Sequence, residues 1–258
     1  MILRADLHVH SCLSPCGSLR LSPREIAQRA REIGLDAIAL TDHNTARQAP
    51  AVGRCCRAEG LIFVPGVEAH TSEEIHVLCL FERTDFAVAF GRRLYRRLPP
   101  IRCVPAKMGD QVVSDEEGVI VGRLTRFLAN ATGWTLSELV EQASSAGGLA
   151  IPAHVDRPAG GLLERLGYMP PLSFPTLEVS PRYDPRRDPL GLAGRHRLIT
   201  GSDAHEPEDI GRASVRLEVA ERSVRGILDA LRADVANGVR SARGLDATDR
   251  PNSGPSVG

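Results

Sequence analysis

Short apolar runs alternate along this chain with longer stretches whose apolar residues recur at helical spacing. Leu3 to His8, Asp36 to Thr41, Leu61 to Val67, Ile75 to Phe81, Leu149 to Ala153, Thr176 to Val179 and Leu198 to Gly201 read as strands. Helices fall between them. Ser22-Pro23-Arg24-Glu25 opens the first, with Ser22 as N-cap, Pro23 at the first helical position and Glu25 completing a capping box. Ile26, Ala27, Ala30 and Ile33 give it an apolar face, and Gly34 stops it. Ala46 to Glu59 is a second helix, closed by Gly60. Phe86 to Leu98 is a third, ended by Pro99-Pro100. Thr135-Leu136-Ser137-Glu138 is another capping box, for a helix reaching Ala146, and Ser223 to Asn237 is a last amphipathic helix.

The rhythm breaks between Ile101 and Leu124. Gln111-Val112-Val113, then Asp115-Glu116-Glu117-Gly118, then Val119-Ile120-Val121 predict a β-hairpin, read as an insertion over residues 101–125. It is either a flap over the site or a structural elaboration. About seven strand–helix alternations predict an α/β fold with a largely parallel sheet, closed by right-handed crossovers into a barrel or roll. The pattern is that of a single domain over residues 1–240. Residues 241–258 are rich in Gly, Ser, Asp and Pro and are expected to be a disordered tail.

Composition narrows this only a little. At 258 residues there is enough chain for a sizeable core, and a net charge of zero gives no general case for nucleic-acid or membrane partners. No window approaches the ~18–20 apolar residues of a membrane span, and no leader is expected at the N-terminus. Six cysteines without a Cys-x-x-Cys pair suggest reduced thiols in a cytoplasm, with Cys55, Cys56 and Cys79 as packing residues. Lys107 is the only lysine. The run Arg92, Arg93, Arg96 and Arg97 is either a track for a nucleic-acid backbone or an exposed helix face, and the zero net charge favours the exposed face. No P-loop, Gly-x-Gly-x-x-Gly fingerprint or Gly-x-Ser-x-Gly elbow occurs, which removes nucleotide-cofactor and serine-hydrolase readings.

The chemistry gathers at strand ends. In Ala5-Asp6-Leu7-His8-Val9-His10-Ser11 the two imidazoles are one residue apart, so on a strand they point to one face. Asp42, His43, Glu68, His154, Asp203 and His205 fall at the C-terminal ends of later strands, where α/β proteins build their sites. Imidazoles mixed with a few carboxylates suit Zn²⁺, Mn²⁺ or Fe²⁺ better than Ca²⁺ or Mg²⁺, which prefer oxygen cages.

Six segments resemble the PHP family, named for polymerase and histidinol phosphatase: Asp6 to Ser11, Thr41 to Thr45, Pro65 to Glu68, the lone His76, Pro152 to His154, and Gly201 to His205. The resemblance implies a distorted (β/α)7 barrel holding two or three divalent transition metal ions (Mn²⁺, Zn²⁺ or Fe²⁺). It implies that His8, His10, Glu68 and Asp203 hold a first metal, that Glu68 bridges to a second completed by His76 and His154, and that His43 and His205 hold a third. Glu68, Asp203 and His205 would carry the catalysis. Cys16 stands where family members often place a His or Asp on the third metal, and is either a ligand or a loop residue.

The implied function is a metal-dependent phosphoesterase using a metal-activated hydroxide. Its substrate would be a small phosphorylated metabolite or nucleotide; nucleic acid is allowed as a substrate but not indicated by charge. The alternatives are a histidinol-phosphate phosphatase and a non-catalytic module binding a polymerase or nucleic acid. Arg157 and Arg182 are candidates to clamp a substrate phosphate. His70 is read as structural and His196 as solvated.

Overall fold

The computed structural model describes residues 1–188 and 190–233. The elements run β1 (Ile2–Val9), α1 (Pro23–Glu32), β2 (Ala37–Leu40), α2 (Ala49–Ala58), β3 (Ile62–His70), β4 (His76–Leu80), α3 (Thr84–Arg97), α4 (Pro105–Met108), β5 (Val112–Ser114), β6 (Ile120–Arg123), α5 (Leu136–Ser145), β7 (Leu149–Pro152), α6 (Leu162–Leu166), β8 (Thr176–Glu178), α7 (Leu192–Arg195), β9 (Arg197–Ile199), β10 (Val215–Glu218) and α8 (Val224–Arg232). The expected tail, and the last residues of the helix expected to reach Asn237, lie outside the described residues. No helix among the described residues is long and apolar enough to cross a membrane.

The sheet is mixed, which corrects the largely parallel one expected. Six strands lie in the order β10-β1-β2-β3-β4-β7. β1–β2 and β2–β3 pair parallel, whereas β10–β1, β3–β4 and β4–β7 pair antiparallel. The β3–β4 connection, residues 71–75, is too short for the crossover a parallel pair needs, so β4 must turn back. β8 and β9 pair parallel as a separate ribbon. The segment after β7 meets that ribbon through the Val155 amide on the Glu178 carbonyl (2.9 Å), and the segment after β9 meets β1 through a bridge between Val9 and Ala204.

The wall encloses an apolar floor. Leu3, Ala5 and Leu7 of β1, Ala37 and Ala39 of β2, Val64, Leu78, Ile151 and Ile199 are buried together against Ile227, Leu228 and Leu231 of α8. A larger cluster including Ile38, Leu40, Val52, Phe63, Phe81 and Phe90 packs the helices on the sheet's outer face. The helix starts follow their caps. Thr135 and Glu138 form both halves of a capping box. Ser22 forms only half of one: its hydroxyl accepts the Glu25 amide, but its own amide goes to the Arg20 carbonyl.

The hairpin β5–β6 is antiparallel. Its tip is tied down: Glu117 and Glu116 pair with Arg24 of α1 and Arg54 of α2, and Gln48 donates to the Ser114 carbonyl at 2.7 Å. The Val112 amide bonds the Cys12 carbonyl, and Val113 packs on Leu13. The hairpin thus braces the loop after β1.

Candidate metal centre

At the end of the enclosure opposite α8, five imidazoles crowd one buried carboxylate. Glu68 Oε1 lies 3.4 Å from His8 Nε2, 2.7 Å from His76 Nδ1 and 3.3 Å from His154 Nε2. Its Oε2 lies 3.4 Å from His10 Nε2 and 2.8 Å from His43 Nδ1. Glu68 is 1 % exposed. Asp203 closes another side, with Oδ1 at 3.3 Å from His8 Nε2 and 3.1 Å from His10 Nε2.

A local irregularity makes this convergence possible. Leu3, Ala5 and Leu7 face the apolar floor, so strict alternation would turn His8 and His10 away from it. Between Asp6 and Val9 the register with β2 shifts, β1 spending one residue more than its partner. The bulge reverses the alternation and brings both histidines onto the face of Glu68. Two ligand candidates also sit at positive φ: His154 at 28° and Asp203 at 51°, beside Asn44 at 52°. Held strain of this kind clusters at functional sites. Asn44 is fixed by its side chain, which donates to the Leu128 and Asn130 carbonyls and accepts the His70 amide.

The charges follow from this packing. Burial by itself would raise the pKa of Glu68, but His76, His8 and His43 overcome it and hold the carboxylate well below its ordinary value. Asp203 behaves alike: burial opposes its charge, and His8 and His10 pull it far below the carboxylate range. Burial pushes His43 down to about 4 and lowers His10. His8 is the exception; burial disfavours its charge, but Glu178, Asp203 and Glu68 outweigh that and raise its pKa.

The residues present fit divalent ions. One carboxylate offers about four lone-pair directions, too few for five ring nitrogens. His8 Nε2 and Glu68 Oε2 are buried without hydrogen-bond partners despite these short approaches. Buried polar atoms left this way cost free energy unless something pairs them. Ionised Glu68 and Asp203, beside His10 and His43 whose charged forms are disfavoured, are in the protonation states a transition metal takes. Within the cluster the donor atoms of His8, His10 and Glu68 lie within 4.8 Å of one another, as do those of Glu68, His76 and His154, of His10, His43 and His205, and of His43, Glu68 and His70.

The remaining expected residues divide. His205 sits at the rim, its Nδ1 2.6 Å from the Asp203 carbonyl. Cys16 is exposed as a residue, yet its Sγ is turned onto His43 Nε2 at 3.1 Å. Arg157 reaches the cluster, where its guanidinium pairs with Asp203 Oδ2. Arg182 does not: it is exposed, and its side chain makes no hydrogen bond or ion pair among the described residues. His70, read as structural, is buried in the cluster with Nε2 2.9 Å from His43 Nδ1 and its ring stacked on His76. His196, read as solvated, is half-buried, and its Nδ1 lies 2.6 Å from the Phe174 carbonyl. Asp42 stays out of the ligand set and braces the loop after β1, taking the Ser11 amide and the Ser11 and Ser14 hydroxyls at 2.7–2.8 Å.

The residue the sequence reading passed over is Glu178. It holds His8 Nδ1 and the His154 amide, and Gly201 leaves room for it: a Cβ there would lie 2.5 Å from Glu178 Oε1. Its signal was its place at the end of β8, level with the other acids.

The 5'-3' exoribonuclease Rnm of Salmonella typhimurium is 26 % identical to this chain over 252 residues, covering 78 % of the chain and 85 % of that protein. Among solved structures, a lesion-specific endonuclease, endonuclease Q from Pyrococcus furiosus, superposes with a TM-score of 0.67 at 20 % identity over 90 % of this chain; the chain spans 56 % of its length. A protein described as a metal-dependent phosphoesterase from Bifidobacterium adolescentis gives 0.58 at 20 % identity, covering 90 % of this chain and 97 % of that one. These likenesses agree on a mixed α/β fold with a curled sheet. A PHP-associated region matches residues 195–235, and the PHP domain matches residues 6–148, more than half of the chain, so this protein belongs to the PHP domain family.

Proposed function

We propose that this protein is a metal-dependent phosphoesterase whose substrate is a nucleic acid. The observation that carries the reading is Glu68, one buried carboxylate approached by five ring nitrogens with its Oε2 left unbonded. His8, His10, Glu68 and Asp203 would hold one ion, with Glu68, His76 and His154 a second. His43 and His205 would hold a third, with Cys16 beside them. Zn²⁺, Mn²⁺ or Fe²⁺ suits these donors. Bound there, the ions would supply Lewis acidity toward phosphoryl oxygens and a water nucleophile at neutral pH.

The chain's own residues do the rest. Glu68 and Asp203 bring negative charge that keeps the ions together. Glu178 fixes the His8 ring through Nδ1, so that Nε2 faces the cluster. His205, half-buried at the rim, is placed to meet the phosphoryl group or the leaving oxygen. Arg157, 42 % exposed at its side chain, balances Asp203 and can turn to a substrate phosphate. The names of the exoribonuclease and the endonuclease support nucleic acid over a small metabolite. We read the wall as a distorted seven-stranded (β/α) barrel forming one domain, supported by the bonds that join β7 to β8 and Ala204 to β1, and its location as cytoplasmic.

The test is hydrolysis by metal-reconstituted protein of single-stranded RNA and DNA, with p-nitrophenyl phosphate, mononucleotides and histidinol phosphate as comparisons. Elemental analysis should find at least two equivalents of metal. Glu68→Ala should remove turnover, a loss on the order of several kcal/mol in the barrier. Less than one equivalent of metal in the wild-type protein, or near-normal turnover in Glu68→Ala, would sink the proposal.

A further inference from the structure

Four arginines cluster in the last turns of α3. Arg20, Arg24, Arg54, Arg83 and Arg225 each pair with an acid; among the described residues Arg92, Arg93, Arg96 and Arg97 have no ion-pair partner, as is true of Arg182, but these four stand together on one helix. Arg93, Arg96 and Arg97, with Trp134 and Gln142 of α5, line a recess of about 310 Å³. The guanidinium carbons of Arg93 and Arg97 stand 5.4 and 5.0 Å from the Trp134 ring centre. Phe90 stacks with the same indole at 6.0 Å. A guanidinium laid over an aromatic ring presents its in-plane N–H edges sideways, and those edges match phosphate oxygens; Arg93 gives one N–H to Gln142 and Arg96 one to the Arg92 carbonyl, and the remaining N–H groups make no hydrogen bond among the described residues.

Helix capping does not account for the group. Cations are favoured at a helix C-terminus, but Arg126 already fills that role, donating to the Tyr95, Arg96 and Leu98 carbonyls. One acid, Glu138, lies near enough to feel Arg97, but its carboxylate is bonded by the Thr135 amide and hydroxyl at 2.8 and 3.1 Å and forms no ion pair with the group, so one carboxylate faces four guanidiniums. The chain as a whole is neutral, so the positive charge here is a local concentration. The recess is also tied to the metal centre. Thr132 bonds the His70 carbonyl through its amide and hydroxyl, at 2.9 and 2.7 Å. Two residues later Trp134 forms the floor of the recess, its carbonyl accepting the Ser72 amide at 2.7 Å.

We propose that the Arg93–Arg96–Arg97 recess over Trp134 is a docking surface for the backbone of a single-stranded nucleic acid, separate from the metal centre and leading toward it. This rests on the phosphoesterase reading for its direction but not for its chemistry. A recess between two helices admits one strand. A duplex would touch only its lips.

The test is binding of a fluorescein-labelled single-stranded RNA 12-mer, the same DNA sequence and a blunt duplex, to full-length protein with metal chelated so that nothing is cut. Wild-type protein should bind both single strands more tightly than the duplex. Arg96→Glu, which disturbs no ring contact, should weaken strand binding about tenfold. Arg93→Ala/Arg97→Ala should do so further, each lost phosphate contact lowering the salt slope by about 0.7. Arg93→Lys/Arg97→Lys should fall between. With metal restored, these variants should raise KM on the 12-mer and leave p-nitrophenyl phosphate turnover unchanged. Strand binding insensitive to Arg96→Glu and Arg93→Ala/Arg97→Ala overturns the surface, even if the 12-mer is cut normally. Duplex binding as tight as strand binding, through the same arginines, also overturns it. Arginine-dependent strand binding by a protein that hydrolyses no phosphoester would uphold the surface and defeat the phosphoesterase reading instead.

Discussion

Both carboxylate oxygens of Glu178 lie within reach of His8 Nδ1, at 3.1 and 2.9 Å, and Oε2 also accepts the His154 amide at 3.0 Å. One acid thereby sets the ring of one ligand candidate and the strained backbone of another. The network assigns a proton to Nδ1 and turns Nε2, the atom free to bind an ion, toward Glu68 and Asp203.

Glu178→Ala should therefore weaken the ion at His8 by about 10–100-fold in a chelator competition, with the other ions less affected. Glu178→Gln, which keeps an acceptor, should lose less. Gly201→Ala should resemble Glu178→Ala, because its Cβ would lie 2.5 Å from Glu178 Oε1 and 2.6 Å from His8 Cβ. Wild-type metal affinity in Glu178→Ala would remove Glu178 from this role.

Cys16 can be tested by its reactivity. Without an ion, burial and then the charges of Glu68 and Asp203 push its thiol up, so it is a poor nucleophile at neutral pH. Alkylation is best followed at alkaline pH. If Cys16 is a ligand, metal-loaded protein should resist the reagent, chelated protein should react, and Cys16→Ser should lower only the third equivalent of metal. Indifference of the labelling to chelator would make Cys16 a loop residue and leave a two-metal core.

The cap of α5 carries a stability prediction with a pH signature. Thr135→Ala should cost about 1 kcal/mol in chemical denaturation at neutral pH. The Thr135 amide, then its hydroxyl, hold Glu138 below its ordinary value of 4.5. A lowered carboxylate stabilises the fold above its unfolded pKa and loses that contribution as pH falls through the folded one. The gap between wild type and Thr135→Ala should narrow as pH drops below about 4.5. Because the residue-135 amide is kept in Thr135→Ala, the narrowing reads only the hydroxyl bond to the Glu138 carboxylate, and a gap that stays constant into acid would show that this bond adds nothing to the cap.

What the sequence determined by itself was local. Alternating apolar runs, the caps at Ser22 and Thr135 and the stops at Gly34 and Gly60 depend on neighbours a few residues away, so the order of the longer strands and helices was legible, while β10 and the short helices α4, α6 and α7 were missed. The residue types at the strand ends were legible too, because His8, His10, His43, Glu68, His76, His154, Asp203 and His205 each stand at or beside a predicted strand.

Tertiary structure decided the rest. Apolar patterning does not carry strand direction; the short β3–β4 connection forces one antiparallel pair, and the edge that β7 meets decides the other, where a parallel sheet was expected. The bulge in β1 depends on its register with β2, and without it His8 and His10 would face away from Glu68. Glu178 and His70 join the cluster, Asp42 leaves it for two serines, Arg182 stays in solvent, and Arg157 is bound by Asp203. Each outcome turns on distances between residues far apart in the chain, which only the packed strands bring within hydrogen-bond range.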